Sequence, residues 1–97
     1  MAIAWPKKDP NDILDFGFNF APLLDDPTDV ITSITATVEQ GGPSLTVASA
    51  AVVLLDPQKV VVWLSGGTVG SASVRLRAAT ALGRTVDQTM SLPIAER

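Results

Sequence analysis

The chain has 97 residues, 46% of them apolar, and a net charge of −3 from seven basic and ten acidic side chains. That size and apolar content make one folded domain and exclude a disordered chain, while the acidic balance argues against phosphate-backbone binding, which needs Lys and Arg gathered on one face. Cysteine, histidine and tyrosine are absent, which removes disulfides, thiolate chemistry, Ser-His-Asp and Cys-His nucleophile pairs and most zinc sites.

Residues 1–12 place Pro6 and Pro10 among two lysines and two aspartates and predict an extended N-terminal arm outside any helix. Its lysines follow the short apolar start and Pro6 interrupts it, unlike a signal peptide. The arm has two readings. It is a frayed terminus, or it orders against a neighbouring subunit with Trp5 as the anchor, since Trp is favoured in interface hot spots. Residues 13–97 form the domain.

The first strand is predicted over Ile13–Phe20. Leu14, Phe16, Phe18 and Phe20 share one face there, and Asp15, Gly17 and Asn19 the other. Ala21–Asp29, with two prolines and three aspartates, reads as a turn region. Val30–Val38 is the next strand, with Val30, Thr32, Ile34, Ala36 and Val38 on one face and Ile31, Ser33, Thr35 and Thr37 on the other. A turn at Gln40-Gly41-Gly42-Pro43 ends it. Leu45–Leu55 is a third β stretch whose apolar parity switches, which predicts a bend or bulge near Ser49–Ala51. A helix over Ala48–Leu55 is the competing reading, and the β signals on both sides outweigh it.

After the Asp56-Pro57-Gln58 turn comes the stretch around which the rest is arranged, Lys59–Gly70. Val60, Val61, Val62, Trp63 and Leu64 suit a buried pleated surface, with Trp63 expected in the core, and Gly66 and Gly67 supply the reversal. In Ser71–Leu82, Ala72, Val74, Leu76 and Ala78 point inward, and Ser73, Arg75 and Arg77 outward. Leu82-Gly83-Arg84 is a short hairpin connection. Val86, Met90, Leu92 and Ile94 share a face of the last strand, and Pro93, which cannot donate to a ladder, predicts a free edge there. Six or seven short strands with turns about every ten residues are the pattern of an all-β antiparallel sandwich.

Reactive groups are scarce. GGTVG lacks the lysine and following helix of a phosphate loop and reads as turn chemistry. Asp9, Asp12, Asp15, Asp25, Asp26 and Asp29 raise the question of calcium, but DDPTD lacks the glycine and distal Glu of an EF-hand, so turn formation is the preferred reading. Nothing builds the cleft that a glycosidase carboxylate pair needs. Arg75 and Arg77 share one outer face, either as ordinary solvated groups or as partners of carboxylates across the sheet or on another protein. The apolar runs Ala50–Leu55 and Val60–Leu64 fall far short of the roughly 20 residues of a membrane helix, so a soluble chain is expected.

Three stretches together carry a resemblance: KDPNDILDFGFNFAPLL from Lys8, VWLSGGTVGSASVRLRAAT from Val62, and LGRTVDQTMSLPIAER from Leu82 to Arg97. With Leu14-Asp15-Phe16, Trp63-Leu64-Ser65-Gly66-Gly67, Gly70, the Gly83-Arg84 hairpin and the Glu96-Arg97 end, the chain resembles small tail-associated proteins of tailed bacteriophages, of the fibre-tail adaptor type with an immunoglobulin-like fold. The resemblance implies a structural virion protein, assembled in the host cytoplasm, that joins tail or neck to fibres. It implies contacts with other tail, neck or fibre proteins, in many copies set by symmetry, with no catalytic groups, cofactor, metal, nucleic acid or membrane. Trp5, Arg75 and Arg77 are the candidate partner contacts. Two other readings are a capsid decoration or head-completion protein of the same fold, and a stand-alone module binding a host surface or carbohydrate. The latter wants exposed aromatics on loops, for which Trp5 is the candidate. A small hydrolase is the enzyme alternative, disfavoured by the missing His, Cys and Tyr.

Overall fold

Alternating side chains bury one face of each strand, and two such layers meet face to face. The computed structural model describes residues 3–40 and 45–96; the Gly41-Gly42-Pro43 turn and Arg97 lie outside the described residues. Seven strands are present among those described: β1 (Ile3–Ala4), β2 (Ile13–Asn19), β3 (Ile31–Gln40), β4 (Thr46–Val52), β5 (Lys59–Ser65), β6 (Gly70–Thr80) and β7 (Thr85–Ile94). A one-turn helix, α1 (Ala21–Leu24), occupies part of the expected turn region. One sheet has the order β1-β7-β6-β3 and the other β2-β5-β4. Every strand pairing is antiparallel except that of β1 on β7. The two sheets face each other as a β-sandwich.

The core takes Phe16 from β2, Val60, Val62 and Leu64 from β5, Ala72, Val74, Leu76 and Ala78 from β6, and Met90, Leu92 and Ile94 from β7. Each large aliphatic side chain removed from water contributes about 1.5–3 kcal/mol.

Trp63 is not among them. It is 42% exposed, beside Asp15 and Ser49 in the register of the three-stranded sheet. A sheet with one covered face buries every second residue, so Val60, Val62 and Leu64 exclude Val61 and Trp63. In β3 a register shift between Ile31 and Ser33 changes parity: Ile31 is buried and Thr32 exposed, the reverse of strict alternation. In β4 the irregularity falls between Val47 and Ser49, just ahead of the expected position.

The arm completes the sandwich. Trp5 N–H donates to the Ser91 carbonyl (2.8 Å), Lys8 N–H to Pro93 (3.0 Å), and Ala95 N–H to Lys8 (2.9 Å). The edge expected to be free at Pro93 is therefore covered. Trp5 is only 6% exposed, stacks on Phe16 with centroids 5.1 Å apart, and donates its indole N–H to the Gly17 carbonyl at 2.9 Å.

Lys8 is fully buried, and its ammonium donates to the Gly66 carbonyl (2.6 Å) and the Asp9 carbonyl (2.9 Å). Burial pushes its pKa down from the ordinary 10.5, with the Asp9 charge acting the other way. Gly67 beside it has φ 111°, and a Cβ there would lie 2.5 Å from Ile94 Cδ1. Gly66, with φ 75°, serves the reversal, and Gly67 serves both the reversal and close packing on Ile94 of β7.

Trp5→Ala is expected to cost about 3–5 kcal/mol of unfolding free energy and Trp63→Ala about 1 kcal/mol or less, compared by chemical denaturation. Gly67→Ala should lose about 1–3 kcal/mol through strain and overpacking in the same measurement, whereas Gly17→Ala, with only the Val60 carbonyl oxygen near at 3.6 Å, should lose less.

Candidate interaction site

Register brings three connections to one end of the sandwich. Asn19 stands opposite Lys59, Val52 opposite Val60, and Ile31 opposite Thr80. The α1–β3 connection, the β4–β5 turn and the β6–β7 hairpin therefore meet there.

Asp26-Pro27-Thr28-Asp29 folds on its own side chains. The Asp26 carboxylate accepts from the Thr28 N–H (2.9 Å) and hydroxyl (2.6 Å), the local bonding that makes aspartate a turn residue. Asp29 is completely buried, and its Oδ1 accepts from the N–H groups of Val30 (3.0 Å) and Leu82 (3.2 Å). Its Oδ2 has no hydrogen bond; the guanidinium of Arg84, with Nη1 at 3.6 Å, supplies compensating charge. The same nitrogen donates to the Leu24 carbonyl at 2.6 Å. Gln58 spans from the β4–β5 turn to the carbonyls of Asp26 (2.8 Å) and Asp29 (2.9 Å). Backbone bonds from Ile31 to Pro57 and from Phe20 to Gln58, both 2.8 Å, complete the lock.

Large apolar side chains project from this locked end. Strand β4 stops at Val52, so Leu54 and Leu55 sit in the turn, 93% and 99% exposed. The turn is closed by Val53 N–H to Lys59, Asp56 N–H to Val53 and Lys59 N–H to Asp56 bonds of 2.9–3.1 Å, and by a Lys59–Asp56 ion pair at 3.2 Å. Leu82 on the hairpin and Leu23 on α1 are exposed at the same end. Soluble surfaces carry scattered apolar residues routinely, but adjacent leucines fully in water on a braced turn are a different matter.

The residues singled out from sequence lie elsewhere. Trp5 is inside its own domain. Arg75 and Arg77 stand on the outer face of the four-stranded sheet among Thr35, Thr37 and Thr89. Arg77 donates through Nε and Nη2 to both Asp87 oxygens, at 2.8 and 3.1 Å, and Arg75 Nε lies 3.5 Å from Glu39. Both arginines are thus tied to carboxylates of their own chain. The leucine end was missed. Its signal was the pair Leu54-Leu55 directly before Asp56-Pro57: neighbours in a strand point opposite ways, so at least one had to face out. Among the described residues no group of three His, Cys, Asp or Glu side chains is placed to hold a metal ion.

The profile of the podophage GP4 fiber-tail adaptor protein gp77 family matches residues 8–93. The chain belongs to this family. The match runs from the buried Lys8 of the arm to Pro93 in β7, so the gp77 adaptor profile takes in the Lys8–Gly66 bond and the locked end but not Trp5. Among solved structures, the cysteine protease inhibitor EhICP2 from Entamoeba histolytica is similar, with a TM-score of 0.53 over 95% of this chain and 85% of that one. At 14% identity that likeness concerns fold alone. No curated protein matches the chain.

The pKa of Asp26 is lowered chiefly by the hydrogen bond from the Thr28 hydroxyl, and that of Asp87 chiefly by the bonds from Arg77. A depressed folded-state pKa adds stability that is present above the ordinary value of 3.8 and is lost as pH falls through the lowered one. Acid denaturation curves should therefore show stability falling in that range, with a shallower fall in Asp26→Asn/Asp87→Asn.

Proposed function

We propose that this chain is a structural component of the virion that connects the tail or neck of a podophage to its fibres through protein–protein contacts alone. The family match over residues 8–93 carries the reading. The physical build agrees with it. An adaptor needs a rigid body that presents surfaces, and both ends of this sandwich are locked by side chains that reach across the chain, Lys8 to Gly66 at one and Arg84 and Gln58 to the Asp26–Asp29 turn at the other. The absence of His, Cys and Tyr leaves it poor in catalytic groups.

In this reading the protein assembles in the host cytoplasm and is repeated around the tail axis, so that each weak contact is multiplied by copy number. Arg75 and Arg77 remain candidates for exchange from their own carboxylates to those of a partner. Exposed pairs of this kind contribute little to stability and rearrange at small cost. Trp5 acts indirectly, by holding the arm on β7.

Particles produced without this protein should contain filled heads and tails but lack fibres, as seen by electron microscopy and by mass spectrometry of purified virions. Fibres present at the wild-type level would contradict the reading.

A further inference from the structure

We propose that β3 is a pairing edge: it joins β3 of a second copy of this chain, antiparallel across a two-fold axis, so that two four-stranded sheets become one. The proposal stands apart from the adaptor reading and concerns this chain alone.

The edge of a sheet presents unpaired N–H and C=O groups, and soluble proteins blunt it with short strands, Lys, Pro or a covering segment. Here the arm covers β7, and the Trp5 indole takes the Gly17 carbonyl of β2. Strand β4 keeps an unbroken register only over residues 49–52. Strand β3 lacks these guards. It runs for 10 residues, ITSITATVEQ, without Pro, Lys or Arg. It pairs with β6 alone, and from residue 32 to residue 40 no backbone bond ties its other side to an element among the described residues.

The core also runs out at this edge. Ala72, Val74, Leu76 and Ala78 of the neighbouring β6 are at most 2% exposed. Ile34, Ala36 and Val38 of β3 pack on the same core and are only half-buried. A further strand beside β3 would cover their open flank and satisfy its backbone in one step.

A second copy fits this edge in both faces and in charge. The pairing with β6 is regular over residues 33–38 and shifts at either end, so straight pairing is confined to that run. With Ala36 on the two-fold axis, Ile34 of one copy lies opposite Val38 of the other on the inner face. Thr35 lies opposite Thr37 on the outer face. Apolar β-branched pairs and Thr–Thr pairs are among those that stabilise neighbouring strands. The one charge of the strand, Glu39, falls opposite Ser33, so like charges do not meet. A two-fold contact of this kind closes at two copies and does not propagate. Its area is below that of a standard interface, which places the association in the weak, reversible range.

The test uses the isolated chain, which has no cysteine of its own. Sedimentation over a concentration series should show a monomer–dimer equilibrium. Under mild oxidation, Thr35→Cys mixed with Thr37→Cys should form a disulfide-linked dimer, read on a non-reducing gel, roughly ten-fold faster or more than either variant alone. Only the mixture sets the two thiols directly opposite; alone, each faces its own copy two positions away, beyond the reach of about 7 Å between Cα atoms that a disulfide can span. Both side chains are exposed, so thermal melts of the reduced variants should stay close to the wild type. Thr89→Cys, on the same face but in β7, should not link.

A chain that remains monomeric up to about 1 mM, where even a contribution of roughly 4 kcal/mol would be visible, would overturn the proposal. So would a dimer whose mixed Thr35→Cys and Thr37→Cys forms link no faster than each alone. Neither result touches the adaptor reading, which is decided by whether fibres attach without this chain.

Discussion

The buried carboxylate of Asp29 is the constraint on which one whole end of this molecule depends. A carboxylate removed from water must be compensated, and here, beside the adjacent Val30 N–H, the compensation comes from the β6–β7 hairpin, through the N–H of Leu82 and the guanidinium of Arg84. The Asp26–Asp29 turn is thereby fixed to that hairpin, and Gln58 fixes it to the β4–β5 turn. Leucines that would otherwise fold back onto the nearest apolar surface are held outward because the backbone beneath them has no freedom to turn. Exposed apolar surface on a mobile loop costs little and means little. On this braced turn Leu54 and Leu55 stay in water.

The opposite end is built on the same logic with the opposite charge. Lys8 carries a buried ammonium, compensated by backbone carbonyls, one of them from the Gly66 turn. Trp5 fills the gap between the sheets on Phe16 and hands its indole proton to Gly17. The arm thus closes the β7 edge, leaving less unpaired backbone open to unspecific strand addition. For a protein that must join particular neighbours, closing one edge restricts where association can occur.

Much of this architecture was legible in the sequence, and the parts that were not share a cause. Strand alternation from Ala72 to Ala78 and the Gly83 hairpin depend on neighbours one or two residues away, and they read correctly. Trp5 and Trp63 exchanged roles because their local sequences do not say which apolar residue a distant strand will cover. The Lys8–Gly66 bond joins positions far apart in the chain, so KKDP and SGG looked like a charged arm and an independent turn. At Ile31 a single register shift reversed the parity of the expected face. Arg75 and Arg77 were correctly placed facing out, but Asp87 and Glu39 became their neighbours only once β7 and β3 had flanked β6. Leu54 and Leu55 were absorbed into an apolar run that ran past the true end of β4.

The measurement that bears most directly on the whole account is a density map of the intact podophage tail, resolved well enough to place this sandwich. The domain is expected between tail and fibre proteins, in contact with both. A tail that joins its fibres without this chain would contradict that placement.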